Sequence, residues 1–332
     1  DKTVIAKASM VAFGRPLYDA GMISRWLIVR AMWSNLLFHY LGADEENYRY
    51  NFILKNHRVE DAYRRFIPVT RMMSMTNGPL LDAQSQQLMD VDEWLRVFAL
   101  VSLVGEGDWY TFGNDHNVLI YNRPDDDRML ALLWDAEHLY YRSASASLIG
   151  SATDWTDLEA LYPANKRRLF AHALDLIATS FNTSYLGYWT THYASFAPGQ
   201  DYSRMLSYIP ARTAAVQAEI NAAGGNAPFT LKTSNLITSA NNLITITGTA
   251  PVQVQGLLVN GVPWSVTWLS FSNWSLSVPV SLASNLLSLV ACDVRGNILP
   301  GYSTNLIVNY TGSLPNPVGN VVLNEIQYHP PL

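Results

Sequence analysis

The chain has 332 residues, of which 49% are hydrophobic, so it can form more than one core and two domains are the first expectation. Its formal net charge of −5 excludes the strongly basic overall surface that is typical of nucleic-acid-binding proteins. The single cysteine, Cys292, excludes an internal disulfide framework, and its apolar surroundings predict a thiol buried in a strand.

The first strongly apolar stretch, residues 22–41, predicts a buried helix rather than a membrane span. It carries Arg25, Arg30 and His39, and a lipid-facing helix would hold these groups at depths where polar and charged side chains are costly. Its apolar side chains also spread over too wide an arc for a helix with one exposed face. We therefore expect no membrane span in this sequence.

A basic run follows at residues 57–71 and contains Arg58, Arg64, Arg65 and Arg71. Helical spacing puts Arg58 and Arg65 on one face, where guanidinium groups can bind phosphates. A solvated helix face is the commoner use of such a run, and both interpretations stay open.

Residues 105–138, GEGDWYTFGNDHNVLIYNRPDDDRMLALLWDAEH, arrange acids and an amide around two short apolar runs. Asp108 lies in a Gly-flanked loop, Asn117 precedes the first run, and Asp135 and Glu137 follow the second. The pattern predicts a loop, a strand, a turn near residues 124–128, a second strand and then the acids. If the two strands pair, their outer ends return Asn117 and Asp135 to one place, where we expect Asp108 as well.

This set of residues is typical of a phosphoryl-transfer site. Phosphoryl transfer needs a carboxylate near the attacking hydroxyl and oxygen ligands for the Mg²⁺ that bridges the nucleotide phosphates. A structural interpretation is also open, because Asp and Asn in turns commonly bond their own backbone. Asp135 is the strongest functional candidate, since a carboxylate at the end of a buried strand needs a partner or a metal. His116 and His138 are more typical of structural histidines.

The composition changes near residue 224. The first 225 residues hold 45 of the 49 charged side chains, and residues 157–220 show helical periodicity that ends at Gly224 and Gly225. After that point the pattern alternates with a period of two, in seven short runs broken by Gly, Asn and Pro. The second part therefore predicts a seven-stranded β-sandwich with hairpin turns at residues 260–261 and 295–297.

Taken together, the motifs resemble the CotH (spore coat protein H) kinase-like family, a group of atypical protein kinases. The resemblance rests on D-x-Y-(x)3-N-x-H-N from Asp108 to Asn117, the L-I-Y strand after it, and W-D-x-[DE]-H from Trp134 to His138. It runs from about Tyr48 to Ile220 and includes the segments NKRRLF and YLGYW.

The resemblance implies transfer of the ATP γ-phosphate to Ser or Thr hydroxyls of a protein substrate, with ATP and Mg²⁺ as cofactors. It implies that Asp108 is the catalytic aspartate, that Asn117 is an amide binding metal and cofactor, and that Asp135 is the metal-binding aspartate. Glu137 is a further candidate metal ligand. The family usually has W-D-x-D, so the second acid is one methylene longer in this chain.

For the fold, we predict a multidomain chain. A mostly helical α+β domain, similar to the C-terminal lobe of a kinase, is expected over residues 1–225, and an all-β immunoglobulin-like sandwich over residues 226–312. Residues 313–332 resemble a linker and the first strand of a lamin-tail-like domain. Only Lys2, Lys7 and Lys55 precede Asp108, and none has the context of a nucleotide-binding lysine, so we expect the N-terminal lobe to lie upstream of Asp1.

Two other functions stay open. A catalytically degenerate kinase fold can serve as a surface binding or scaffold module, and the Glu137 substitution together with the appended β-rich part favours this alternative. A hydrolase can use two of the acids as general acid and base. The expected partners are a nucleotide and a protein substrate, not nucleic acid. By family resemblance the expected location is extracellular or on a bacterial cell surface.

Overall fold

The structure, a computed structural model, describes residues 65–76, 78–112, 117–150, 162–197 and 199–313. All of these residues belong to one structural unit. Several predictions fall outside them: the helix at 22–41, Arg58, Arg64, His116, the lysines at 2, 7 and 55, and the C-terminal strand at 321–332. The described residues form a mixed α+β arrangement with six α-helices and eleven strands in three sheets.

In the part of the chain that the structure describes, three helices precede the candidate site: α1 (Phe66–Met73), α2 (Gly78–Leu88) and α3 (Val91–Leu103). Asp90 begins α3 as an N-cap, since its side chain accepts a hydrogen bond from the Glu93 backbone N–H. One face of α3 buries large apolar side chains, among them Trp94, Leu95 and Phe98. The loop that contains Asp108 therefore begins at the end of a helix that is firmly packed in the core.

The hairpin predicted around residues 124–128 is confirmed. Strands β1 (Val118–Asn122) and β2 (Met129–Leu133) pair antiparallel, with Val118 opposite Leu133 and Asn122 opposite Met129. Arg123 holds the turn by bonding both carboxylate oxygens of Asp126 and one oxygen of Asp90. The hairpin is thereby fastened to the beginning of α3.

Three further helices follow in the described residues: α4 (Pro163–Thr179), α5 (Thr183–Ala194) and α6 (Ser203–Ala222). The helical periodicity read between residues 157 and 220 agrees with them where the chain is described, and α6 ends just before Gly224 and Gly225. Their apolar faces share one core with α1, α2, α3 and the hairpin. No helix in the described ranges is long and apolar enough to cross a membrane.

Residues 230–310 form nine strands in two sheets. The strands are β3 (Thr230–Leu231), β4 (Leu236–Ser239), β5 (Leu243–Thr249), β6 (Gly256–Val259), β7 (Val262–Trp264), β8 (Thr267–Trp268), β9 (Asn273–Pro279), β10 (Ser284–Cys292) and β11 (Ile298–Tyr310). One sheet has the order β4-β11-β10-β6-β7 and the other β3-β5-β9-β8, and their buried side chains share a second core. Cys292 is buried at the end of β10, as predicted.

The count of seven strands was wrong, because β4 and β7 did not stand out in the sequence. Both are short edge strands of the five-stranded sheet, and neither has a fully buried side chain, so they show little of the apolar alternation that reveals a strand. The turn between β6 and β7 was predicted correctly. Asn260 and Gly261 both have positive φ, 51° and 82°, as a two-residue hairpin turn of type I′ requires.

The helical part and the β-rich part are joined by a buried arginine. Arg167 on α4 is 0% exposed, and its guanidinium donates hydrogen bonds to backbone carbonyls of Ala250, Pro251, Val254 and Phe271. It also stacks on the Trp268 ring at 3.5 Å. Burial lowers the pKa of Arg167 to about 9, so the group remains charged at neutral pH. The domain boundary near residue 225 stays a prediction, but a specific contact crosses it.

Candidate functional site

The loop after α3 is shaped by two glycines and a buried acid. Gly105 has φ 61°, and a side chain there would collide with the Tyr208 hydroxyl, while one at Gly107 would collide with the Tyr141 ring. Between them Glu106 is 0% exposed, and its Oε1 accepts hydrogen bonds from the backbone N–H groups of Gly107 and Asp108, both at 3.0 Å. The backbone at Asp108 is therefore fixed by its own loop.

Asp108 and Asn117 are brought together, although the two residues are nine positions apart. The Asn117 amide nitrogen Nδ2 donates to the Asp108 backbone carbonyl at 2.7 Å and to the Asp108 carboxylate oxygen Oδ2 at 3.3 Å. The Asn117 backbone is held in turn, because its carbonyl accepts from the Trp109 indole N–H and from the Trp134 backbone N–H. The amide thus links the Asp108 loop to the base of the hairpin.

Asn117 and Asp135 flank the hairpin and share an uncommon backbone conformation. Their φ angles are 62° and 54°, in the left-handed region that few residues other than glycine adopt. Asn and Asp tolerate this region best, and such residues collect at functional sites, where the surrounding structure enforces the strain. Asp135 comes directly after Trp134, whose backbone N–H donates to the Asn117 carbonyl, so Asp135 is adjacent in sequence to this contact. The Asp135 side chain is exposed, so the prediction that this carboxylate is buried at the end of the strand was wrong.

Glu137 lies on the segment that runs back along the Asp108 loop. The carbonyl of His138 accepts from the Gly107 N–H at 3.2 Å, and the N–H groups of Tyr141 and Arg142 both donate to the Gly105 carbonyl at 3.0 Å. The Glu137 oxygen Oε2 is buried, and no residue in the described ranges donates a hydrogen bond to it. A buried carboxylate oxygen in this state is a position that a cation would stabilise.

Helix α6 supports the far side of the same segment. Arg204 donates to the Tyr140 carbonyl at 3.0 Å, and Arg212 donates to the carbonyls of Ala144 and Ser102. Burial raises the pKa of the nearby Tyr208 phenol, which keeps this group neutral under Gly105. The two loops of the candidate site are therefore held in place by two helices of the core, α3 and α6.

An open cavity of about 670 Å³ adjoins the loop. Gly107, the residue before Asp108, lines it together with Phe112, Tyr141, Arg142 and Ser143. The Arg142 guanidinium lies 3.6 Å from the centre of the Phe112 ring. The cavity thus combines an aromatic wall and a cation beside the candidate catalytic aspartate.

The candidate site residues carry the type of oxygen ligand that Mg²⁺ prefers. They are the carboxylates of Asp108, Asp135 and Glu137 and the amide of Asn117. Within the described residues, no three side chains of His, Cys, Asp or Glu form a group that could hold a metal ion.

Two other sequence candidates have different surroundings. Arg65, considered as a phosphate ligand, bonds Asn122 at 3.1 Å and pairs with Asp127, so it lies against the hairpin tip. His138 is exposed and stacks on Tyr141 with ring centres 5.7 Å apart.

Sequence reasoning missed Glu106. A glutamate between two glycines reads as a solvated turn, whereas the structure buries it completely under the loop. Its only sequence signal is its place two residues before Asp108, directly after the apolar run of α3.

Comparison with models of known protein families gave no match, and comparison with curated proteins gave none either.

Proposed function

We propose that the chain is a protein kinase-like phosphotransferase that moves the γ-phosphate of ATP to Ser or Thr hydroxyls of a protein substrate, as its resemblance to the CotH family implies. The orientation of the Asn117 amide is the observation that carries this proposal. Its nitrogen faces the Asp108 carbonyl and carboxylate, which leaves the oxygen Oδ1 at the other end of the amide as the atom that would bind metal.

Each acidic residue then has a distinct role. Asp108 accepts the proton of the attacking hydroxyl, and the hydrogen bond from the Asn117 amide to Asp108 Oδ2 holds the carboxylate. Asn117, Asp135 and Glu137 would hold Mg²⁺ through their side-chain oxygens. When bound, the metal would neutralise charge on the ATP phosphates. The cavity beside Gly107 admits the hydroxyl-bearing segment of the acceptor protein.

The proposal extends to the fold as a whole. We propose that the helical part is kinase-like, that the two facing sheets of residues 230–310 are an immunoglobulin-like module, and that the protein acts outside the cell or on its surface.

A second candidate is a scaffold that keeps the kinase fold without transferring phosphate. Two features favour it: the Asp135 side chain is exposed, and Glu137 is longer than the aspartate usual in the family. A scaffold would present its surfaces to other proteins and would not require Mg²⁺.

Calorimetric titration with ATP tests the metal and nucleotide part of the proposal. We expect ATP binding that requires Mg²⁺, that disappears in Asp135→Asn, and that survives in Asp125→Asn, the control variant at the exposed hairpin tip. Asparagine keeps the shape of Asp135 and removes the charge that holds the cation. An ATP affinity that depends neither on Mg²⁺ nor on Asp135 would contradict the assigned site.

A further inference from the structure

Glu106 combines complete burial with a direct hold on the residue proposed to do the chemistry. Its Oε1 accepts from two consecutive backbone N–H groups, those of Gly107 and Asp108. Both hydrogen bonds end on the same carboxylate oxygen, so the two peptide planes are held in a fixed relation to each other. The glycines at 105 and 107 otherwise give this loop more backbone freedom than most sequences have.

The second carboxylate oxygen of Glu106 indicates that fold stability alone does not account for a glutamate at this position. Oε2 is buried, and no group in the described part of the chain donates to it. Glu219 offers a contrast within the same structure, because it uses both oxygens: one accepts from the Ser147 hydroxyl at 2.7 Å and the other from the Leu148 N–H at 2.8 Å. A carboxylate buried with one oxygen unsatisfied destabilises the fold, and such groups persist where function requires them.

We propose that Glu106 is a positioning residue, which sets the direction of the Asp108 carboxylate by fixing the backbone of residues 107 and 108. This inference rests on the proposed phosphotransferase function and deepens it. Glu106 itself does not touch the reacting atoms. Its loss lets the loop relax, and Asp108 then spends less time within hydrogen-bonding reach of the attacking hydroxyl.

Three substitutions of Glu106 separate positioning from charge and from packing. Glu106→Gln keeps an oxygen that can accept both N–H groups, Glu106→Met fills the same space but accepts neither, and Glu106→Asp keeps the charge on a shorter arm. Asp293→Leu is the matched control, because the Asp293 oxygen Oδ1 also accepts from two backbone N–H groups, those of Arg295 and Asn297, in the turn after β10. The measurements are kcat, KM for ATP and Tm, with MgATP and casein as the acceptor protein.

The positioning role gives a specific pattern of results. We expect Glu106→Met to lower kcat about 100-fold with little change in KM for ATP, while its Tm stays within about 4 °C of the parent. Glu106→Gln should recover most of the activity, and Glu106→Asp should fold but recover little. Asp293→Leu should lower Tm and leave kcat unchanged.

Different outcomes overturn different claims. If the parent transfers phosphate and Glu106→Met keeps the kcat of Asp293→Leu, the positioning role is wrong and the proposed function stands. If Glu106→Met does not fold, Glu106→Asp decides, and parental kcat in that variant overturns the role. If the parent transfers no phosphate with any divalent metal, the proposed function fails and the role of Glu106 fails with it.

Discussion

At the scale of single residues, some side chains of the site both stabilise an uncommon backbone conformation and position a group proposed to react. Asn117 is the clearest case, since it adopts a left-handed conformation and also bonds Asp108. Its two contributions, to stability and to the orientation of Asp108, can be measured separately.

Replacing Asn117 with glycine and with alanine separates these contributions. Both variants lose the amide, so we expect both to lose about 100-fold in phosphotransfer. Glycine tolerates the backbone conformation and should cost about 1 kcal/mol for the lost hydrogen bond. Alanine should cost roughly 1 kcal/mol more, because φ stays near 62°. Urea denaturation and phosphate-transfer assays measure the two effects, and parental activity in Asn117→Ala would exclude the assigned role.

Glu93 gives a prediction about pH. Burial raises the pKa of this carboxyl to about 7, against the opposing hydrogen bond from the Ala131 N–H. The folded protein therefore keeps a proton that the unfolded chain loses, so the free energy of unfolding should fall as pH rises from 4.5 to about 7. Glu93→Gln should remove this loss of stability. Because the group is partly exposed, the free energy of unfolding should rise by only about 1 kcal/mol at pH 8 and by almost nothing at pH 4.5.

Asp92, the residue before Glu93, provides the control of opposite sign. Burial alone would raise the pKa of Asp92, but the hydrogen bond from His172 and the charge of Arg168 outweigh it and lower the pKa. Asp92→Asn should therefore destabilise the protein at neutral pH, and the difference should vanish as pH falls below the ordinary range of aspartate. Thermal unfolding followed across pH distinguishes the two variants, and parallel curves for Glu93→Gln and the parent would refute the Glu93 prediction.

At the scale of elements, the β-rich part depends on turns whose geometry the sequence specifies. The turn at Asn260 and Gly261 has open space around Gly261, so a substitution there meets backbone strain and no collision. Gly261→Ala should cost about 1 kcal/mol, because alanine disfavours positive φ. Gly256→Ala is the matched control in the preceding strand β6, where the nearest atom to the new methyl group is 3.9 Å away. Equal stability of both variants by urea denaturation would contradict this account of the turn.

The same scale shows how far the sequence predicts the structure. The hairpin of β1 and β2 and the turn at 260–261 follow from local patterns, because turn residues and apolar alternation specify them directly. Strands β4 and β7 were missed because sheet edges need few buried side chains. Glu106 was missed because its burial depends on Tyr208 and Tyr141, which pack beside its glycine neighbours from distant points in the sequence. The sequence predicted that Asp108 and Asn117 lie close together, but only the structure shows which end of the Asn117 amide faces Asp108.

At the scale of the whole molecule, Arg167 couples the helical part to the β-rich part. Arg167→Met leaves several buried carbonyls without a donor and should destabilise the protein by about 3 kcal/mol or more. We also expect the two parts of this variant to unfold separately, with helical circular dichroism and the hydrogen-exchange protection of strands β5 and β9 lost at different urea concentrations. Arg168→Met is the control, because the neighbouring Arg168 is partly exposed and pairs with Asp92. Coincident transitions in Arg167→Met would show that the coupling does not depend on this residue.

The most direct test of the central claim is the transfer of radiolabelled γ-phosphate from ATP to casein by the parent and three variants. We predict Mg²⁺-dependent transfer by the parent, a loss of at least about 100-fold in Asp108→Asn and Asp135→Asn, and unchanged or higher transfer in Glu137→Asp, which restores the acid usual in the resembling family. Full activity in Asp135→Asn would contradict the metal site. No transfer by the full-length parent with any divalent metal would contradict the phosphotransferase and favour the scaffold.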